Sequence, residues 1–380
     1  MPERQAPFRI VRDLIAHELA RLRRVPLLEI GAHTWCEDSA PDMATGERAA
    51  VAALLAEYAG LPPPDPTLAG PVAALAARLA DPATVLTFRT SGSTGSPKPC
   101  RHRLRDLRQE AAGYPALLPA VRRLVCCVPC HHIYGTIWTA LVPDALGGVP
   151  VAEARFIGPG LALPALASGD LVMATPALWR HILHAFDALP AGVAGLTSTA
   201  PMPSDLGRGI VAAGIAPLCE IYGSSEHAGI GFRTHAGDPF TLQAQWRAEG
   251  DDALVRLATD GERPAEPLMD HLGWIDARRF RVTGRRDAAV QVGGINVHPA
   301  RIAREIAMHE GVADCAVRLA ETGRLKAFVV PADPDADTAA LADALRAWAR
   351  EHLEEAERPR RYSFGPALPR TDAGKLRDWE

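Results

Sequence analysis

Lysine is almost missing from this chain. Lys98, Lys326 and Lys375 are the only three among 41 cationic side chains, so arginine carries nearly all of the positive charge. The scarcity makes each lysine conspicuous, and two of the three fall inside motifs. There is no cationic surplus either: a net charge of −4 over 380 residues gives no general attraction to nucleic acid. No uninterrupted apolar run reaches the roughly 18 residues of a membrane span. The stretch 8–28 is broken by Arg12, Arg21, Arg23 and Arg24, unlike a secretory leader. Seven cysteines, an odd number without repeating spacing, offer no disulfide framework and suit reduced thiols, so a cytoplasmic location is expected. With 48% apolar residues over this length the chain can build a large core in two or three domains without staples.

What is present falls into a clear order. Apolar residues at helical spacing predict an amphipathic helix over 8–24, and two Ala/Leu-rich helices follow over 46–59 and 69–80, separated by the breaker LPPPDP. From residue 84 the pattern alternates. Strands are expected at 84–89, 123–128, 170–174, 193–198 and 217–221, with helices at 103–112, 176–187 and 204–213 between them. That alternation implies an α/β fold with a mostly parallel sheet, whose ligands gather at the carboxyl ends of strands. Every unusual polar cluster here follows a strand: the loop at 90–98, PCHHIYG at 129–135, STAPMP at 198–203 and YGSSE at 222–226. A small α+β unit is expected after the Arg- and Gly-rich connection 284–294, with helices at 299–309 and 338–355 and strands at 312–319, 325–330 and 361–364.

The loop Thr90, Ser91, Gly92, Ser93, Thr94, Gly95, Ser96, Pro97, Lys98 suits a polyphosphate. Backbone N–H groups of a glycine-rich turn converge on anionic oxygens, hydroxyls add neutral donors, and a lysine adds a point charge. A solvated Ser/Gly linker is the plainer reading, but linkers rarely follow a strand directly and end in Pro and Lys. A Walker loop needs four residues between its glycines and a Ser or Thr after the lysine. Here two residues separate Gly92 from Gly95, and Pro99 follows Lys98.

Together these motifs resemble the adenylate-forming superfamily of acyl-CoA synthetases, aryl-CoA ligases and adenylation domains. TSGSTGSPK at 90–98 looks like its phosphate loop, YGSSE at 222–226 like its YGxTE element, GRRDAAVQVGGINVHPARI at 284–302 like its hinge and following loop, and PRTDAGKLR at 369–377 like its terminal PxxxxGKxxR. HIY at 132–134 looks like the corresponding run of 4-coumarate:CoA ligases, so the chain resembles an abbreviated aryl-acid ligase of the photoactive-yellow-protein type. It departs from the family in a short region before the phosphate loop, in Pro99 where Gly is usual, in Ser225 for Thr, and in Gln291 where a Lys is common.

The resemblance implies a large N-terminal domain over 1–286 and a small mobile C-terminal α+β domain over 287–380, with a hinge at 285–288 centred on Asp287. It implies ATP, Mg²⁺ and coenzyme A, or a phosphopantetheinyl carrier protein, as reactants, with an aryl carboxylate of hydroxycinnamate or hydroxybenzoate type. Ser91, Ser93, Thr94 and Lys98 would hold the β- and γ-phosphates. Thr90, Gly92 and Gly95 complete that loop, and Thr199, Ala200 and Pro201 the adenine loop. Tyr222 would face adenine; Gly223 and Ser224 follow it; Ser225 would meet the α-phosphate, and Asp270 and Arg285 the ribose. Glu226 would bind Mg²⁺, and Lys375 would reach the α-phosphate and the carboxylate. His132, with a catalytic role, Tyr134 and Trp138 would wall the acyl pocket opposite Ala200 and Gly223, while Gly293 and Gly294 would line the thiol channel. No nucleic-acid or membrane partner is implied, and a second subunit, as in a homodimer, could cover surface left by the short N-terminal lobe. Three rivals stand beside this: a haem or metal site at CxxCH 127–131, a P-loop-type kinase, and a nucleotide-binding protein without turnover.

Overall fold

The structure, a computed structural model, describes residues 5–64, 67–89, 98–157, 160–186, 188–250, 253–265, 267–286, 289–369 and 376–379. The first helix, Gln5–Arg23, turns Ile10, Val11, Leu14, Ile15 and Leu19 inward, each no more than 3% exposed, and packs on Thr45–Ala59 and Ala69–Ala80. The second helix stops at Gly60, whose φ of 66° puts it in the left-handed conformation that closes a helix end. These three helices fall within three residues of their expected bounds, because apolar periodicity is a local signal.

The central sheet has nine strands. From one edge to the other the order is Asp270–Trp274, Arg279–Arg285, Phe240–Leu242, Ala228–Arg233, Ile215–Ser224, Val193–Thr197, Asp170–Ala174, Arg123–Cys126 and Val151–Glu153. From Ile215–Ser224 to Val151–Glu153 neighbouring strands run parallel. Leu171, Val172, Met173 and Ala174 are all at most 1% exposed, as the middle of a doubly covered parallel sheet requires. Toward the other edge the pairs Ile215–Ser224 with Ala228–Arg233, Ala228–Arg233 with Phe240–Leu242, and Phe240–Leu242 with Arg279–Arg285 are antiparallel. The expected parallel run is thus the larger part of the sheet, and an antiparallel part extends it toward the other edge. Only residues 225–227 connect the first of these pairs, far too few for the crossover that a parallel pair needs.

A second departure concerns the strand before the phosphate loop. Val85–Arg89 stands outside the central sheet and pairs antiparallel with Pro99–Arg103, in register Val85↔Arg103 to Arg89↔Pro99. The two strands on either side of the phosphate-loop sequence are thus the antiparallel arms of a hairpin, the second being Pro99–Arg103. Helix Leu104–Gly113 follows it directly.

The chain divides into two compact units, one holding residues 98–284 with the N-terminal helices, the other beginning at Arg285. In the second, strands Val312–Leu319, Leu325–Pro331 and Arg361–Phe364 form a sheet beside helices Pro299–Ile306 and Thr338–His352. Ile302, Ile306, Ala327, Val329 and Leu345 form its own core, each at most 1% exposed.

Candidate active site

The YGSSE element is the end of a hairpin. Ser224 pairs with Ala228, and Ser225, Glu226 and His227 make the turn, with Ala228 in the left-handed region at φ 62°. Gly223 sits opposite Gly229, and a Cβ added to it would lie 2.2 Å from the Ala228 carbonyl oxygen, so the hairpin closes only around glycine. The Ser224 hydroxyl accepts from the His227 backbone N–H at 3.2 Å and lies 2.9 Å from the His227 ring, fixing the turn from inside. Glu226 is half-buried at the turn's tip. The His102 ring, from the strand that returns from the phosphate loop, lies 2.7 Å from the Ser225 carbonyl oxygen, so hairpin 85–103 and turn 225–227 belong to one cluster.

Tyr222 donates to the Asp270 carboxylate at 2.7 Å. The residues expected to face adenine and ribose thus meet across two strands of the same unit. On the neighbouring loop Ser198 donates to the Ile221 carbonyl at 2.8 Å, and Thr199 is held at φ 77°, an unusual conformation for a β-branched residue. Its hydroxyl is buried without a hydrogen-bond partner. Glu220 anchors this loop by accepting from the Met202 N–H at 3.2 Å while Arg233 pairs with it at 2.6 Å. Ala200 is half-buried and Pro201 exposed. A strained loop with an orphaned hydroxyl, a glycine that admits close approach, and a Tyr–Asp pair fit a nucleoside monophosphate. The half-buried Glu226 carboxylate suits a hard divalent cation shared with phosphate oxygens.

The PCHHIYG segment opens a helical stretch from Ile133, with His132 as the residue before its first turn. His17 of the first helix joins His131 and His132: ring centroids are 4.3 Å apart for His17–His131 and for His131–His132, and 6.3 Å for His17–His132. All three are held below the ordinary imidazole range, chiefly by burial. For His132 the neighbouring His17 adds to this and Asp13 opposes it, and the residue keeps an exposed surface. Burial and the close approach of three rings thus disfavour the charged imidazolium in this cluster. Tyr134 is 8% exposed and its hydroxyl is buried without a partner. Trp138 is 1% exposed and packs in the same core cluster as Tyr134, its ring tilted against Tyr114 with centroids 4.4 Å apart.

CxxCH does not act as a unit. Just past the strand Arg123–Cys126, Cys127 packs in the core cluster of Val172 and Trp179, whereas Cys130, three residues on, packs in another with Tyr134 and Trp138. Among the described residues no group of three or more His, Cys, Asp or Glu side chains could hold a metal ion. Gly293 and Gly294 have a conformational reason to be glycine. They link Val290–Val292 to Ile295–Val297 at φ 61° and 88°, the pattern of a tight hairpin turn with both central residues left-handed. Their presence thus needs no channel to explain it. Lys98 is exposed directly before the pair Arg89↔Pro99, and Arg285 ends the strand Arg279–Arg285. Thr90, Ser91, Gly92, Ser93, Thr94, Gly95, Asp287 and Lys375 lie outside the described residues.

Behind the hairpin lies a polar network that sequence reading missed. Glu110, 1% exposed, accepts from the Gly229 N–H at 3.1 Å and from the Tyr114 hydroxyl at 2.8 Å. Gln245 and the Trp246 indole donate to the Gly229 carbonyl at 3.2 and 2.7 Å. Gly229 starts a β-bulge, and its backbone is held at both ends by side chains. Nothing around RQEAAGY marks Glu110 as unlike other helical glutamates; only its burial does. That burial raises its pKa from the usual 4.5 to about 7, against the opposing pull of Arg256. A carboxyl raised in the folded state favours folding most below 4.5, and that contribution is lost as pH rises through about 7. The melting temperature of the protein relative to its Glu110→Gln variant is therefore expected to fall between pH 5 and pH 8. Thermal melts of both proteins across this range check it; a difference independent of pH would contradict the assignment.

A large α/β sheet carrying this hairpin cluster, together with a separate small α+β unit, is the architecture expected of an adenylate-forming enzyme. The chain belongs to the AMP-binding enzyme family: residues 31–252 match it, and residues 302–375 match the AMP-binding enzyme C-terminal domain. It is similar to the 4-coumarate–CoA ligase of Rhodobacter capsulatus, 44% identical over 297 residues covering 77% of this chain and 75% of that protein. It is also similar to the 4-coumarate–CoA ligase of Halorhodospira halophila, 38% identical over 310 residues covering 81% and 78%. Among solved structures, a malonyl-CoA ligase with methylmalonyl-CoA and AMP bound shares the fold at a TM-score of 0.59 and 21% identity, over 76% of this chain and 73% of that one. An o-succinylbenzoate CoA synthetase from Bacillus subtilis does so at 0.57 and 18%, over 76% and 67%. Family membership sets aside the P-loop kinase and haem readings of the same segments.

Proposed function

We propose that this chain activates a hydroxylated aryl carboxylic acid of the 4-coumarate class with ATP and transfers the acyl group to the thiol of coenzyme A. The carboxylate oxygen forms a bond to the α-phosphorus as the bond to pyrophosphate breaks. The thiol sulfur then bonds to the acyl carbon, and AMP leaves with the electron pair of the C–O bond. Repulsion between carboxylate and polyphosphate must be screened in the first step, and phosphorus charge stabilised. Ser91, Ser93, Thr94 and Lys98 hold the departing pyrophosphate, with Thr90, Gly92 and Gly95 shaping the loop. Thr199, Ala200, Pro201 and Tyr222 hold adenine, Asp270 and Arg285 the ribose, and Ser225 the α-phosphate. Gly223 and Ser224 set the backbone between them. Glu226 would hold Mg²⁺, which supplies charge neutralisation at the phosphates. Lys375 supplies the cation for the α-phosphate and the carboxylate. Asp287 is the hinge between the two half-reactions, and His132 borders the acyl group and stays neutral.

The observation that carries the substrate class is Tyr134. A buried phenol without a partner costs about 1–3 kcal/mol, and a substrate hydroxyl would satisfy it. Similarity to two 4-coumarate–CoA ligases supports the same choice. Acid-dependent pyrophosphate exchange is expected to be fastest with 4-coumarate, slower with cinnamate and 4-hydroxybenzoate, and negligible with long-chain fatty acids. Tyr134→Phe should shrink the preference for 4-coumarate over cinnamate by about 10-fold. No exchange with any aryl acid would defeat the proposal. Thioester formed with coenzyme A, against a phosphopantetheinyl carrier protein, identifies the acceptor.

A further inference from the structure

His102 belongs to none of the motifs read from the sequence, yet its ring is built into the cluster around the YGSSE turn. On the strand Pro99–Arg103 the flanking Arg101 and Arg103 are exposed, whereas Cys100 is buried and His102 half-buried, as a strand with one inward face requires. In register His102 lies opposite Leu86. Its ring meets Phe88 edge-on with centroids 5.8 Å apart, and Phe88 meets Tyr58 in the same way at 5.6 Å. Phe88 and Tyr58 are at most 3% exposed, so the imidazole leans on side chains of the core. Its Nε2 lies 2.7 Å from the Ser225 carbonyl oxygen. A carbonyl oxygen only accepts, so Nε2 carries the hydrogen and the ring donates. That carbonyl belongs to the peptide joining Ser225 to Glu226. A peptide is planar, so a bond to its oxygen restrains the backbone on both sides. The ends of the hairpin are tied separately: the Ser224 hydroxyl accepts from the His227 N–H at 3.2 Å, and the Glu110 carboxylate accepts from the Gly229 N–H at 3.1 Å. His102 supplies the contact in the middle.

We propose that His102 is a positioning residue for the turn 225–227: by donating to the peptide between Ser225 and Glu226, it sets where the Ser225 hydroxyl and the Glu226 carboxylate stand. The inference rests on the reading of Ser225 as the α-phosphate contact and of Glu226 as the metal ligand. A turn at the tip of a hairpin lies beyond the last ladder pair, here Ser224 with Ala228, so the ladder does not hold it. A displacement of about 1 Å at a reacting phosphate costs of order 100-fold in rate. A ring locked by aromatic packing supplies the restraint that the ladder does not. His102 touches neither nucleotide nor acid in this role; it acts through the Ser225–Glu226 peptide.

The test turns on reach. Glutamine carries its amide nitrogen at the place of Nε2 and asparagine at the place of Nδ1, so His102→Gln keeps a donor for the Ser225 carbonyl and His102→Asn does not. Two properties of the full-length protein are compared: the dissociation constants of AMP and of adenosine, titrated without metal, and pyrophosphate exchange with 4-coumarate. His102→Asn is expected to weaken AMP about 10-fold while leaving adenosine within about 2-fold, and to lower exchange about 10- to 100-fold with the KM for the acid unchanged. His102→Gln should stay within about 3-fold of the parent in each. Phe88→Leu, which removes the brace and keeps the histidine, should weaken AMP selectively by about 3-fold, and it carries the test if His102→Asn fails to fold. Equal loss of AMP and adenosine, the same defect in the Asn and Gln variants, or unchanged AMP binding in both His102→Asn and Phe88→Leu overturns the proposal. Ser225→Ala and Glu226→Gln run alongside separate the two ideas. If both keep full exchange, the reading of the turn fails and the role of His102 falls with it; if they lose exchange and His102→Asn does not, only the role of His102 fails.

Discussion

Lys375→Ala is expected to lower acid-dependent pyrophosphate exchange by about 100- to 1000-fold, the range for losing one charged stabiliser of a developing anion. Thioester formation from supplied acyl-AMP should persist, since that step has no polyphosphate to screen. The expectation comes from the motif: Lys375 lies in PRTDAGKLR, which resembles the family's PxxxxGKxxR, in a sequence that contains only two other lysines. Single-turnover measurement of each half-reaction decides the matter. A parallel fall in both would mean that the lysine serves the fold of the small unit and not the chemistry.

Gly223→Ala is expected to be nearly as damaging, for a steric reason that no motif states. Its new Cβ would sit 2.2 Å from the Ala228 carbonyl oxygen, 3.0 Å from the Ala228 carbonyl carbon and 3.1 Å from the Gly229 Cα, all backbone atoms of the partner strand. None can rotate away. The hairpin must open or the bulge at Gly229 must shift against Glu110, Gln245 and Trp246, at a cost of about 2–4 kcal/mol. Tyr222, Ser225 and Glu226 move with it. We expect adenylation to fall about 100-fold and the melting temperature by several degrees, whereas Gly113→Ala, with nothing within 4 Å of its Cβ, should melt within a degree or two of the parent. Activity retained by Gly223→Ala would show that the hairpin tolerates opening and does not set the nucleotide site.

Local signals were legible and pair-wise ones were not. The amphipathic helix Gln5–Arg23 and the strands Val312–Leu319 and Arg361–Phe364 follow from periodicity, which a few consecutive residues carry, whereas YGSSE was legible as the polar end of a strand and not as a hairpin. The strand at 85–89 was visible as a strand, but its partner was not, since Pro99–Arg103 carries charged residues and no alternating apolar pattern. Trp138 reads as a pocket wall beside HIY, and its tilted contact with Tyr114 could not be read from the sequence. Gly293 and Gly294 read as clearance for a thiol, whereas a two-residue hairpin turn requires them on its own account.

By itself the sequence determined the order of elements, the strand ends where chemistry collects, and the residue types offered there, because each depends on neighbours within a turn or two. Tertiary structure alone decided which of those residues meet. It joined Tyr222 to Asp270 across 48 positions and His102 to the Ser225 carbonyl across 123. It buried Glu110 beneath the Gly229 bulge and paired the buried Lys326 with the Asp378 carboxylate. A buried charge and the group that satisfies it are chosen by packing, and packing is a property of surfaces brought together from distant parts of the chain.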